Sequence, residues 1–152
     1  MVVQFSRTRN RYERQGILIE PKALERAEQE CSSDADARAR ARAQGAKVRR
    51  KQDRELVVRM TARISELFPG CPPAEAAAIA AHTAVRGSGR VGRTEAGRNL
   101  HQNALIAAVT AAVRHRHSDY DSLLASGVDR AVAREQVADH VWSTMAGWKR
   151  QS

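Results

Sequence analysis

The sequence contains few aromatic residues, few cysteines and no long apolar run. Aromatic residues make up 4% of the 152 positions, so the core has to consist mainly of Ala, Val, Leu and Ile. Cys31 and Cys71 do not form a CxxC or metal-ligand spacing, which argues against a disulfide framework or a zinc module. No apolar run approaches the ~18 residues of a membrane span, and residues 1–5 are too short for a secretory segment. We therefore expect a cytoplasmic protein without a membrane partner.

Basic residues outnumber acidic residues along the chain. The 26 Lys and Arg against 17 Asp and Glu give a formal net charge of +9 and a pI of about 10.7. A surface of this sign attracts polyanions, so nucleic acid is favoured over an acidic small molecule as the partner.

Alanine-rich segments interleaved with Arg, Glu and Gln favour helix, and no stretch alternates apolar and polar residues for long. We therefore predict an all-α protein without a β-sheet. It should comprise a basic helical arm over residues 1–54 and a small bundle of about four core helices over residues 55–150. Gly16 would end any helix formed by residues 6–15, and Pro21 would begin a long helix that breaks near residues 32–34.

The segment from residue 38 to 54 carries eight Arg and Lys against a single acid, Asp53. On a helix these charges surround much of the cylinder, so the helix cannot be buried. A solvated basic helix is the simplest interpretation, and it is compatible with polyanion docking. The candidate phosphate-binding residues are Arg38, Arg40, Arg42, Arg49 and Arg50.

Downstream of residue 55, apolar residues recur at helical spacing. We predict a helix over 56–67, a second over 74–85 with Ile79 inside, and a central third over 100–113. After a short helix at 119–126, a last helix capped by Asp129 should bury one face. That inner face consists of Val132, Val137, Val141, Met145 and Trp148.

The glycine-rich segment GSGRVG at 87–92 has the GxGxxG spacing. A dinucleotide fold requires a strand before this motif, and here a helix precedes it, so the Rossmann interpretation fails. Two interpretations remain for residues 86–98: an ordinary flexible loop, or a loop that offers amides and guanidinium groups to phosphate. On the second, Arg86, Arg90 and Arg93 bind nucleic acid.

The run RHRHSDYD at 114–121 contains residue types that serve metal sites and acid-base chemistry. His115 and His117 are two residues apart, so on a helix they diverge. The favoured interpretation is a junction between two helices, in which Asp119 or Ser118 caps the second helix and Tyr120 packs inward. Arg114 and Arg116 are additional candidates for nucleic-acid contact.

Four motifs together resemble the bacterial domain of unknown function 2293. They are FPGCPP (68–73), GSGRVGR (87–93), RHRHSDYDSLL (114–124) and DR-x-x-AR-x-x-V (129–137), and SRTRNRYERQG (6–16) resembles the lead-in of such proteins. The resemblance covers most of the chain and implies no particular chemistry.

Three functional hypotheses follow. The leading one is a non-enzymatic protein that binds RNA or DNA through phosphates, with low sequence specificity and no cofactor or metal, because phosphate contacts need only Arg and Lys. The second is a protein-interaction module or homo-oligomer in which residues 21–54 dock on another chain. The third is a metal-dependent phosphodiester hydrolase centred on His115, His117, Asp119 and Asp121.

Overall fold

The computed structural model describes residues 1–150. Contacts divide the chain into two compact units, Met1–Lys47 and a second that begins at Val48. The expected boundary at residue 54 lies inside a helix. In chain order the elements are β1 (Val2–Ser6), β2 (Arg11–Gly16), α1 (Pro21–Ser33), α2 (Ala35–Leu67), α3 (Pro73–Thr83), a 3-10 turn (Val91–Arg93), α4 (Glu95–Arg98), α5 (Gln102–Arg116), α6 (Tyr120–Ala125), α7 (Arg130–Gln136) and α8 (Ala138–Lys149).

The first unit contains a β-hairpin, so the prediction of no β-sheet is wrong for residues 2–16. β1 and β2 are antiparallel, with Phe5 paired to Tyr12 and their rings 5.2 Å apart. Asn10 takes a left-handed backbone conformation (φ 48°) in the connecting loop, which Asn tolerates better than most residues. Cross-strand aromatic contact and this turn outweigh the weak helix preference of residues 6–15. The fold class remains mainly α.

The start and the break of the long helical region are confirmed. Pro21 occupies the first turn of α1, where its missing N–H costs nothing. The helix ends at Ser33, and α2 restarts at Ala35. The first unit, which includes the beginning of α2, contains no buried residue.

The core of the second unit begins on the C-terminal third of α2. Leu56, Met60 and Ile64 are buried at four-residue spacing, and Phe68 follows at the same interval. Helix α5 is central, as predicted, since it contacts α3, α4, α6 and α8. The largest fully buried side chains are Phe68, Met60, Ile64, Ile79, Leu105, Met145, Val109 and Val113.

The predicted last helix is two helices, because the chain bends at Val137 between α7 and α8. Asp129 does cap α7, accepting hydrogen bonds from the amides of Ala131 (2.7 Å) and Val132 (3.4 Å). The bend turns Val132 outward, and it is 44% exposed rather than buried. Val141 and Met145 lie inside as predicted. Together with α4 and α6, the extra helix raises the helix count above the expected four.

Over residues 1–150, no helix combines the length and the apolar character needed to cross a membrane.

Candidate functional site

The basic residues of α2 lie on a solvated part of the helix. Within the first unit Arg40, Arg42 and Lys47 are exposed, and within the second unit so are Arg49 and Arg50. None of these five forms an ion pair with a described residue. Arg38 differs, because its Nη1 lies 2.6 Å from an oxygen of Asp34. The segment therefore presents positive charge that the described chain does not neutralise.

The arginines of the loop after α3 behave differently, because Asp53 of α2 binds two of them. Arg86 donates through Nη2 (2.8 Å) and Nε (3.3 Å) to the two carboxylate oxygens of Asp53. Arg93 donates through Nη2 (2.6 Å) to the same carboxylate and through Nε (2.5 Å) to the carbonyl oxygen of Ala84. These bonds, those from Arg86 first, hold the pKa of Asp53 below its ordinary value. Two candidate phosphate ligands thus fasten the loop to α2.

The glycines of GSGRVG serve the packing of this loop. Gly87 and Gly89 have positive φ angles of 74° and 68°. At Gly92 a Cβ atom would lie 2.6 Å from the carbonyl oxygen of Thr83, so only glycine allows this approach. The amide of Gly92 donates to Oγ1 of Thr83 at 3.3 Å, and is therefore engaged within the protein.

The junction between α5 and α6 is held by Ser118 rather than by Asp119. Oγ of Ser118 donates to the carbonyl oxygen of Arg114 (2.5 Å) and accepts from the amide of Tyr120 at 3.4 Å. Asp119 precedes α6 without a side-chain capping bond, so the Asp119 alternative is wrong. Tyr120 is buried as predicted, and the guanidinium of Arg114 lies 5.3 Å from its ring centroid.

The two histidines of the junction have different partners. Nδ1 of His115 lies 2.7 Å from an oxygen of Asp121, whereas Nε2 of His117 lies 3.4 Å from Glu75. Arg116 also pairs with Glu75, at 3.0 Å. Within the described residues, no three His, Cys, Asp or Glu side chains are grouped to hold a metal ion.

A cleft of about 570 Å³ in the second unit collects several of the predicted residues. Arg90, His115 and Arg116 line it, together with His82 of α3, which the sequence gave no reason to select. His82 is a single histidine on an alanine-rich helix, and Asp53 is a single acid in a basic run. Their importance depends on contacts with residues distant in sequence.

Comparison with known proteins gives one match. No curated protein and no solved structure matches the chain. The sequence profile described as "Uncharacterized conserved protein (DUF2293)" matches residues 63–149, a range that starts in α2 and ends with α8. This confirms the resemblance inferred from the motifs. Because the match covers more than half of the chain, the protein belongs to the DUF2293 family.

Proposed function

We propose that the protein is a non-enzymatic nucleic-acid-binding protein that contacts phosphates through the exposed basic residues of α2. The observation that carries this proposal is the set of exposed Arg and Lys side chains without a carboxylate partner in the described chain. Neighbouring like charges on a helix repel one another, and a polyanion relieves that repulsion. A cytoplasmic location is part of the same proposal.

Low sequence specificity follows from the side chains available. Guanidinium and ammonium groups bind phosphates, whereas single-strand recognition commonly stacks bases on several aromatic rings. In the second unit, Trp142 is the large aromatic side chain with substantial exposure, at 63%. One ring does not form a series of stacking platforms, so affinity should depend on charge more than on sequence.

The test is the salt dependence of binding to random duplex DNA or RNA. The variant Arg42→Ala/Arg49→Ala/Arg50→Ala removes three unpaired charges and retains helix propensity, because alanine is the best helix former. Each lost phosphate contact lowers the log–log slope by about 0.9 on B-DNA, so the slope should fall by up to roughly 3.

A matched control removes three arginines that have carboxylate partners. Arg9 and Arg11 pair with Glu13, and Arg63 pairs with Glu66. Changing these three to alanine alters the net charge equally, and it should leave the slope close to that of the unmodified protein. If both variants reduce the slope by the same amount, total charge governs binding and α2 is not the binding element.

A protein-interaction module is the second candidate, favoured by exposed apolar side chains in the first unit. Ile17, Leu18 and Leu24 are 74%, 84% and 45% exposed, and such residues mark contact surfaces when they cluster. Changing all three to Ser should abolish a partner interaction that survives nuclease and 0.5 M salt, at about which screening removes most surface electrostatics. Loss of the interaction on nuclease treatment would favour the first candidate.

A further inference from the structure

The cleft of about 570 Å³ in the second unit has an apolar floor and a polar rim. Its volume is in the range of small-molecule sites, which are typically apolar with a few convergent polar groups. The floor consists of Ile79, Val91, Ala108, Ala111 and Ala112, and the polar residues are His82, Thr83, Arg90, His115, Arg116 and Asp121.

The floor suits a flat apolar group. Ala108, Ala111 and Ala112 lie on α5 and present only methyl groups, so the surface between the larger Ile79 and Val91 is shallow. Ile79 and Ala108 are themselves buried, which fixes the shape of the floor. A planar ring could cover this surface without displacing a side chain.

The rim suits a phosphate. Arg90 spends one N–H on the carbonyl oxygen of His82 (3.2 Å), and a guanidinium has five such donors. Desolvation lowers the pKa of His82, and the charges of Arg90, Arg116 and His115 lower it further. Positive charge therefore converges on the position of His82, where a phosphate dianion would be stabilised.

One carboxylate interrupts this basic rim. Asp121 is 61% exposed and accepts a hydrogen bond from His115 through Oδ1, which leaves Oδ2 as a free acceptor. A carboxylate repels phosphate but binds the hydroxyl groups of a ribose, as in dinucleotide-binding proteins. The rim therefore fits a ligand that has both a phosphate and a sugar.

We propose that this cleft binds a nucleoside phosphate, with the base on the alanine floor, the phosphate at Arg90 and His82, and a sugar hydroxyl at Asp121. The ligand is either a free mononucleotide or the terminal nucleotide of a strand, since both present the same groups. The site lies wholly in the second unit, and it does not depend on the α2 surface that carries the proposed function.

The test uses calorimetry and imidazole NMR on the full chain with adenosine monophosphate (AMP), adenosine and inorganic phosphate as probes. AMP should bind about tenfold or more tightly than adenosine or phosphate, since a charge-assisted hydrogen bond contributes about that factor. The pKa of His82 should rise on binding, because the bound dianion favours the imidazolium. Equal affinity for AMP and inorganic phosphate, or an unchanged His82 pKa, would refute the proposal.

Two variants separate the parts of the site. Arg90→Ala should weaken AMP binding by about tenfold or more, whereas Arg98→Ala, an exposed arginine outside the cleft lining, should not change it. Ala111→Leu fills the floor and should weaken AMP and adenosine while sparing phosphate. If Arg90→Ala leaves AMP affinity unchanged although the variant is folded by circular dichroism, the site is wrong.

The remaining arms identify the source of the nucleotide and separate this proposal from the first one. A phosphorylated dinucleotide that binds more tightly than AMP indicates a strand end, and the reverse order indicates a free mononucleotide. The Arg42→Ala/Arg49→Ala/Arg50→Ala variant should bind AMP normally. A loss of AMP binding in that variant would place the nucleotide on α2 and overturn the cleft proposal.

Discussion

Replacing Asp53 by Asn should loosen the segment after α3 from α2. The substitution keeps the shape of the side chain and removes the charge that binds both Arg86 and Arg93. The side chain of Arg93 is only 15% exposed, so water cannot fully replace the lost partner. The carbonyl oxygen of Ala84 remains as its neutral acceptor.

The expected cost lies between the values for exposed and buried ion pairs. Exposed pairs contribute about 0.2–1 kcal/mol, and breaking a buried pair costs about 3–5 kcal/mol. Asp53 is 31% exposed and Arg86 50% exposed, so we expect a loss of about 2 kcal/mol in the free energy of unfolding. For a unit of this size that corresponds to a decrease in Tm of roughly 8–16 °C.

Urea melts at pH 7 and pH 3 measure this contribution. Because the folded pKa of Asp53 is lowered, the ion pairs stabilise the protein fully above the ordinary aspartate pKa of about 3.9. The contribution is lost as the pH falls from there through the folded pKa, so the difference between Asp53→Asn and the unmodified protein should shrink at pH 3.

Asp119→Asn is the matched control, since Asp119 is exposed and makes no capping bond. Its effect should stay within about 0.5 kcal/mol. The anchoring role of Asp53 is refuted if Asp53→Asn is equally harmless at pH 7, or if its effect persists unchanged at pH 3.

Two further predictions concern packing and thiol reactivity. Gly92→Ala should destabilise the protein by about 1–3 kcal/mol in urea melts, because its Cβ would meet the Thr83 carbonyl oxygen at 2.6 Å. Gly147→Ala in α8 should be neutral or stabilising by up to about 1 kcal/mol, since no atom lies within 4 Å of its added Cβ. In thiol labelling with Ellman's reagent, exposed Cys31 should react at once and Cys71 only on unfolding, because burial raises the pKa of Cys71 to about 11. Equal labelling rates would contradict this.

The helices of the second unit could be predicted because their pattern is local. Leu56, Met60 and Ile64 are four residues apart, and a single buried stripe on one helix requires that spacing. The capping of α7 by Asp129 is local in the same way, since donor and acceptor lie two or three residues apart. The bend at Val137 is different, because no Gly or Pro marks it.

The hairpin was missed for a related reason. Its two strands are short, and residues 6–15 are rich in Arg, which has no strong preference for strand over helix. Pairing of Phe5 with Tyr12 and the left-handed Asn10 are features of two strands taken together. A search for helical periodicity within one segment does not detect them.

The candidate site shows the same division between local pattern and distant contact. In the sequence, Arg86 and Arg93 are as basic as Arg49 and Arg50, and composition alone assigns all four to phosphate binding. Asp53 lies 33 residues before Arg86 and 40 before Arg93, so no local pattern shows that it engages them. Once these two guanidinium groups are engaged, an added phosphate would have to compete with a carboxylate already in place. Arg49 and Arg50 present no such competition within the described chain, which is why the proposed nucleic-acid surface lies on α2 and not on the glycine-rich segment.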